Sequence, residues 1–276
     1  MKVTLIDKMG SDLTVVNAAR VSYGKNKTEF DLSDEKLIKF LATHNHWSPF
    51  AHCSLQFRIK APIFVARQLV KHQVGLSWNE ISRRYVDFPP ELYKPDSWRG
   101  RPIDSKQGSD GIVNLGETID HNLETTMESC LILYNTMIEK GVAPEMARMV
   151  LPQSMMTEWY WSGTLYAFAR VCQLRCAKDT QLETQQVANI NNDNCKESFP
   201  ISWKYLQNEK NESITLNDMT YDFGKLIFNN ELTYDSYKHL INDYNHSSYK
   251  DSHIWQFNLD SFSLIFEDLL KCKVIE

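Results

Sequence analysis

The chain has 276 residues, 42% of them hydrophobic, enough to build a sizeable core in one large domain or two small ones. A formal net charge of −5 argues against a general nucleic-acid coat, which is normally basic, and keeps small anionic ligands in a local basic pocket in play. No apolar run approaches the roughly 20 residues of a membrane span, and MKVTLIDKMGSDL lacks the apolar core of a secretory signal, so a soluble, cytoplasmic protein is expected.

In chain order, VTLIDKMG alternates like a strand, and NAARVS reads as a helical turn before a polar loop at Gly24 to Thr28. DLSDEKLIKFLATHNH predicts an amphipathic helix behind a Ser33 cap, with Lys36 and Lys39 on the wet side. HCSLQFRIKA alternates over His52 to Lys60 as a half-buried strand does. Pro62 suits the first turn of a helix of about three turns carrying Ile63, Phe64, Arg67, Gln68, Val70 and Lys71, with Gln68 and Lys71 on one face.

From Phe88 to about Gly116, Pro, Asp, Ser and Gly predict a long surface loop. HNLETTMESCLILYNTMIEK predicts a helix stopped at Gly141, and PEMARMVLP starts another with Pro144 in its first turn. MMTEWYWSG is strand-like, and LYAFARVCQLRC returns to helical spacing. Beyond Trp203 two helices are plausible, without readable chemistry. Strands and helices mix without a βαβ beat, which predicts an α+β fold: a mixed or antiparallel sheet flanked by helices. We expect one catalytic domain over residues 1–276, with excursions at 93–120 and 205–276. Neither GxGxxG nor GxxxxGK[ST] occurs, so a dinucleotide-binding turn and a P-loop are unsupported.

Four groups carry candidate chemistry. His44, His46 and His52 in HNHWSPFAH invite a metal, but no acidic or cysteine ligand accompanies them; a ligand-contacting loop or a polar helix end explains them better. Six cysteines are scattered without a CxxC pair, as free thiols are, and Cys172 and Cys176 suit a buried helix face. Arg84, Arg148, Arg170 and Arg175 lie in apolar or aromatic segments, where an unpaired guanidinium is costly to bury. For any one of them an ion pair with Glu145, Glu158 or Glu183 is the simpler account; several together favour a phosphate or carboxylate ligand. In KHQVGLSWNEISRRY, Ser77, Asn79, Glu80, Ser82 and Arg84 alternate with Trp78, Ile81 and Arg83, as a hydrogen-bonded turn or a binding surface. No nucleophile stands with a base and an orienting acid, so a hydrolytic triad is not expected.

APIFVARQLVKHQVGLSWNEISRRY strongly resembles the signature of flavin-dependent thymidylate synthases. Two further blocks agree in order: NAARVSYG with HNHWSPFAH upstream, and ARMVLPQSMMTEWYWSG with LYAFARVCQLRC downstream. The resemblance implies that dUMP is methylated at uracil C5 to dTMP. Methylenetetrahydrofolate gives the carbon, FAD reduced by NADPH gives the hydride, and no cysteine nucleophile takes part.

It further implies that dUMP is bound by Gln68, Glu80, Ser82, Arg83, Arg84, Arg148 and Arg175. Arg175 faces the uracil and favours ionisation at N3, Ser82 bonds near the reacting edge, and Arg83 contributes its backbone N–H. Ser22, His46, Ser48, Lys71, His72, Gln73 and Asn79 map to flavin contacts. Lys-His-Gln at 71–73 replaces the family's Arg-His-Arg, Ala51 stands for Glu, and Thr164, Tyr166 and Arg170 stand for Asn, Arg and Asn, so Arg170 is expected to take over phosphate binding from Gln73. A homotetramer with shared active sites is implied, with no nucleic acid, membrane or metal. The competing readings are a non-catalytic dUMP-binding regulator and a metal hydrolase built on the three histidines.

Overall fold

The computed structural model describes residues 1–207, apart from residue 104, and two short strands beyond them. The chain divides into two units, Met1–Glu209 and Lys210–Glu276. In the first, chain order runs β1 (Lys2–Met9), α1 (Asp12–Arg20), α2 (Leu32–Thr43), α3 (Ser48–Ala51), β2 (Ser54–Pro62), α4 (Ile63–Leu69), β3 (Leu76–Glu80), β4 (Trp98–Gly100) and β5 (Asp110–Val113). It continues through α5 (Glu117–Glu139), α6 (Pro144–Ala147), β6 (Met156–Thr164), α7 (Leu165–Arg175), α8 (Leu182–Ser198) and α9 (Pro200–Gln207). In the second unit, β7 (Ile214–Leu216) and β8 (Met219–Tyr221) form an antiparallel pair. Residues 205–207 of the expected 205–276 excursion close α9; the remainder, with the helical expectations that fall on it, lies outside the described residues, as does Cys272.

The fold is α+β. One antiparallel sheet has the order β1-β2-β6-β3. Period-2 alternation decides its faces. Leu55, Phe57, Ile59 and Ala61 of β2 and Trp159 and Trp161 of β6 are buried on one side, each large side chain stabilising by roughly 1.5–3 kcal/mol. Phe168 of α7 meets Phe57 and Trp161 edge-on at 5.1 and 5.3 Å. Val15 and Val16, Ile38, Phe50, Leu69, Val187 and Trp203 bring α1, α2, α3, α4, α8 and α9 into the same core. On the opposite face Gln56 bonds Ser162 at 3.0 Å and Arg58 pairs with Glu158. Among the described residues no helix is long and apolar enough to cross a membrane.

Several expectations need correction. The first helix starts at Asp12 rather than at NAARVS, because the Ser11 N–H donates to Thr14 Oγ1 at 3.0 Å and closes a cap there. The α2 cap is Asp31, not Ser33: its carboxylate accepts the N–H of Ser33 at 2.8 Å and of Asp34 at 3.3 Å. Pro62 ends β2 and caps α4, which is only seven residues long. Val70 makes the last four-residue helical bond and His72 N–H then closes onto Leu69 O at 3.0 Å. Lys71 therefore lies past the helix, and Gln68 and Lys71 do not share a helical face. Residues 88–116 hold the β4–β5 hairpin rather than loop alone. α6 is a single turn followed by a 3-10 turn at Arg148–Val150.

Candidate active site

Three elements converge where α4 ends. β3 pairs with β6, whose last residue leads directly into α7, so the turn of residues 70–75 comes to lie against α7. Gly75 makes that approach possible at φ +74°: a Cβ there would sit 3.1 Å from Ala167 Cβ and 3.2 Å from Thr164 Oγ1. Thr164 N–H donates to Gly75 O at 3.0 Å, and Thr164 Oγ1 caps α7 by accepting Ala167 N–H at 3.1 Å.

In this junction Arg175, the last residue of α7, donates from Nε to His72 Nε2 at 2.9 Å. Burial, then the charges of Arg175 and Arg170, hold the half-buried His72 below its ordinary pKa, so the imidazole is neutral. Lys71, Gln73 and Arg170 are exposed around it.

Strand alternation separates the remaining groups. Ser77 and Asn79 pair opposite Ser162 and Tyr160, on the sheet face away from the core. Trp78 and Glu80 point to the other face, where Trp78 stacks on Trp159 at 4.5 Å. Glu80 is held there from both oxygens: Thr157 Oγ1 donates to Oε1 at 2.7 Å and Trp78 Nε1 to Oε2 at 3.2 Å. Just past β3, Arg84 donates from N and Nε to Ser82 Oγ at 3.3 and 3.4 Å. Gln68 on α4 faces α8, donating to Gln181 Oε1 and accepting from Thr184 Oγ1 at 3.1 Å.

The arginines do not sit as their apolar neighbours suggested. Arg84, Arg148 and Arg170 are exposed and Arg175 is half-buried, because the helices and turns that carry them direct these positions away from the core of this chain. Arg148 Nε donates to Glu145 O at 3.1 Å, inside its own turn, and meets none of the other candidate residues. Arg83 is the buried one, donating to Phe88 O and lying 4.6 Å over the Phe88 ring. Its side chain is engaged within this chain.

Ser22 lies exposed in a 3-10 turn, Val21–Tyr23, and is not joined to the others. His46 and Ser48 flank Trp47, whose ring lies 6.4 Å from that of Tyr166, linking this loop to the start of α7. His44 and His46 pack around Phe40 at 4.1 and 5.8 Å. Among the described residues no three His, Cys, Asp or Glu side chains gather as a metal site. The five described cysteines are free thiols. Burial pushes Cys53 up to about 11 and raises Cys195, which suppresses thiolate chemistry there. A hydrogen bond with the buried Cys172 thiol lowers the Cys176 pKa.

Nothing in the sequence marks Gln181 and Thr184 as partners of candidate residues, and for Thr157 the one signal is its inward strand position. Chemically, the site offers exposed guanidinium forks and an ammonium for anions, a carboxylate with fixed orientation, and a guanidinium locked by a neutral imidazole.

A family model described as "Thymidylate synthase complementing protein" matches residues 4–201. A flavin-dependent thymidylate synthase of Thermus thermophilus is 41% identical over 201 residues, 73% of either chain. That of Thermosipho africanus is 38% identical over 207 residues, covering 73% of this chain and 90% of the relative. A UMP/dUMP methylase, PolB from Streptomyces cacaoi, crystallised with 5-Br dUMP, superposes with a TM-score of 0.67 at 30% identity, covering 74% of this chain and 93% of that one.

Proposed function

Since the chain belongs to the flavin-dependent thymidylate synthase family and methylates dUMP to dTMP with a flavin, we propose that the flavin is FAD, that methylenetetrahydrofolate supplies the carbon and that NADPH supplies the electrons. The observation that carries this reading is the junction itself: the turn of residues 70–75, β3 and the end of α7 bring the candidate flavin residue His72 beside the candidate uracil residue, Arg175.

The donor set fits FAD. Lys71 and Arg170 offer two exposed cations to a diphosphate, while Gln73, Asn79 and Ser48 offer neutral donors and acceptors, and His46 and Ser22 extend the set. When bound, FAD supplies the redox chemistry of the methylation. Every other task falls to side chains. Arg84 and Arg148 clamp the dUMP phosphate, and the exposure of both leaves their forks open. Glu80, fixed by Thr157 and Trp78, keeps lone pairs for a substrate N–H or O–H. Ser82 and Gln68 complete the pocket, with the Arg83 backbone N–H beside them. Arg175 spends Nε on His72 and keeps both terminal nitrogens for the uracil, where a fixed positive charge favours loss of the N3 proton and activates C5 without a covalent enzyme bond.

We also propose a homotetramer that shares its active sites. Exposed apolar side chains border the isolated candidates: Tyr85 beside Arg84 at 75% exposure, Met149 beside Arg148 at 78%, and Tyr23 beside Ser22 at 80%. The free thiols favour a reducing, cytoplasmic location. No observation favours a non-catalytic regulator. The test is incubation with FAD, NADPH, methylenetetrahydrofolate and dUMP: dTMP detected by mass spectrometry supports the reading, and unchanged dUMP contradicts it.

A further inference from the structure

We propose that His72 is the positioning residue for Arg175: a neutral imidazole protonated on Nδ1 accepts the Arg175 Nε–H at Nε2 and thereby fixes the plane in which the guanidinium meets uracil. The inference rests on the function proposed above and assigns His72 a second task beside flavin contact.

The geometry requires this tautomer. A guanidinium has five N–H groups and no acceptor, so the nitrogen it donates to must carry a free lone pair, and the proton sits on the other ring nitrogen. The 2.9 Å bond uses Nε, the inner nitrogen of the guanidinium. Anchoring at Nε leaves the outer edge, with two nitrogens and four N–H groups, intact as a fork. An anchor at a terminal nitrogen would occupy part of that fork. Arg175 closes α7, and the next residue, Cys176, is its C-cap, so the backbone there is held by the Cys176 N–H bond to Cys172 O at 2.9 Å. Among the described residues, His72 is the side chain that hydrogen-bonds the long arginine stem's head group and so restrains it.

Among the described residues, the charges that act on His72 are positive. Arg170 and Arg175 act on it from α7, and Lys71 precedes it in the turn. Among the described residues no carboxylate pairs with it. A proton arriving on Nε2 removes the acceptor and sets an imidazolium against the guanidinium. Arg175 is then released, so the step that needs it fades as pH falls through the His72 pKa, which lies below the ordinary histidine value.

The experiment compares wild type, His72→Gln and His72→Leu from about pH 5 to pH 9, the range over which essential acid and base groups show in kcat. Saturating dUMP is used, flavin occupancy is followed by absorbance and dUMP affinity by calorimetry. Glutamine places an amide oxygen where Nε2 stood and does not titrate. His72→Leu is expected to lose roughly 10- to 100-fold in kcat, the scale of a hydrogen bond to a charged group. His72→Gln is expected to recover most of that loss and to lack the acid limb seen in wild type. Should His72→Gln keep the acid limb, or fall as far as His72→Leu with flavin still bound, the inference is overturned and the proposed function stands. A wild type with no flavin-linked turnover overturns the proposed function, and this inference with it. If His72→Leu fails to fold, the pH profile of His72→Gln decides alone.

Discussion

Arg175 and His72 stand 103 positions apart in sequence and meet through one hydrogen bond of 2.9 Å. Neither local propensity nor spacing produces that meeting. It follows from β3 pairing with β6, which lays the turn after α4 against the helix that β6 leads into. Because His72 occupies only Nε, the rest of the guanidinium is available, under the proposed function, for charge that develops on the uracil. Arg175→Ala should therefore leave flavin bound and lower kcat by about 10²–10³-fold, as loss of a preorganised donor does. Retained turnover would make Arg175 a structural partner of His72 only.

Thr157 is buried and donates to Glu80 at 2.7 Å, so it governs a candidate substrate residue from the neighbouring strand. Thr157→Val keeps the shape and removes the donor. It should raise the dUMP KM by about 10-fold, the cost of losing one hydrogen bond to a charged group, with little change in melting temperature. An unchanged KM would show that Trp78 alone holds the carboxylate.

Gly163 and Gly75 hold β3 close to β6. A Cβ on Gly163 would come within 2.6 Å of Gly75 O, a backbone atom that cannot swing aside. Gly163→Ala should push β3 off its partner and remove both flavin and dUMP binding. Gly75→Ala is milder: its left-handed backbone costs about 1–2 kcal/mol without glycine, and the extra methyl crowds Ala167. Thermal melts and flavin titration of the two variants test this order.

Much of this architecture was legible. The alternation of β2 and β6 and the helical spacing of α7 appear directly in the residues, since each of these elements buries one face in the core. β3 was harder, because only Leu76 and Trp78 mark its inward side and the residues between them are polar. α8 was missed: it is polar and rich in Asn, and it owes its place to Val187, Ala188 and Cys195 packing in the core. The candidate residues were found through motif resemblance, but their partners were not. Thr157, Gln181 and Thr184 act on residues 77 to 116 positions away, distances that only register and helix packing resolve. The arginines show the limit of neighbourhood reasoning, since apolar neighbours marked Arg84 and Arg148 as costly to bury and both are exposed.

Stability should respond to acid through Asp34. Its side chain is fully buried; burial alone pushes its pKa up, but Lys27 at 2.7 Å, the Asp31 N–H and Arg20 together hold it below the usual carboxylate value. A depressed carboxylate pKa gives stability that is complete above the unfolded value of about 3.9 and is lost as pH falls below it. Asp34→Asn should cost about 2–3 kcal/mol near pH 7, below the range for a fully buried pair because both cations are partly exposed. The gap to wild type should close below about pH 4 in denaturant titrations, the sign that linkage requires. A gap that stays constant across that range would exclude the charge as its cause.

Gln73 tests the departure in the Lys-His-Gln turn. It is exposed beside Lys71, and its carbonyl accepts Leu76 N–H at 3.2 Å, so a longer side chain fits without disturbing the turn. Gln73→Arg should tighten FAD binding several-fold in a fluorescence titration, by adding a planar fork for phosphate. Weaker binding would show that Arg170 already fills that space.

Flavin-linked methylation of dUMP is here proposed to take place at the junction of β3 and α7. Its most direct measurement is the absorbance spectrum of the purified protein with added FAD, followed by NADPH oxidation with and without dUMP. A bound-flavin spectrum and NADPH oxidation that responds to dUMP are expected. A protein that shows no flavin absorbance even with FAD supplied, and whose NADPH oxidation ignores dUMP, would contradict the proposal.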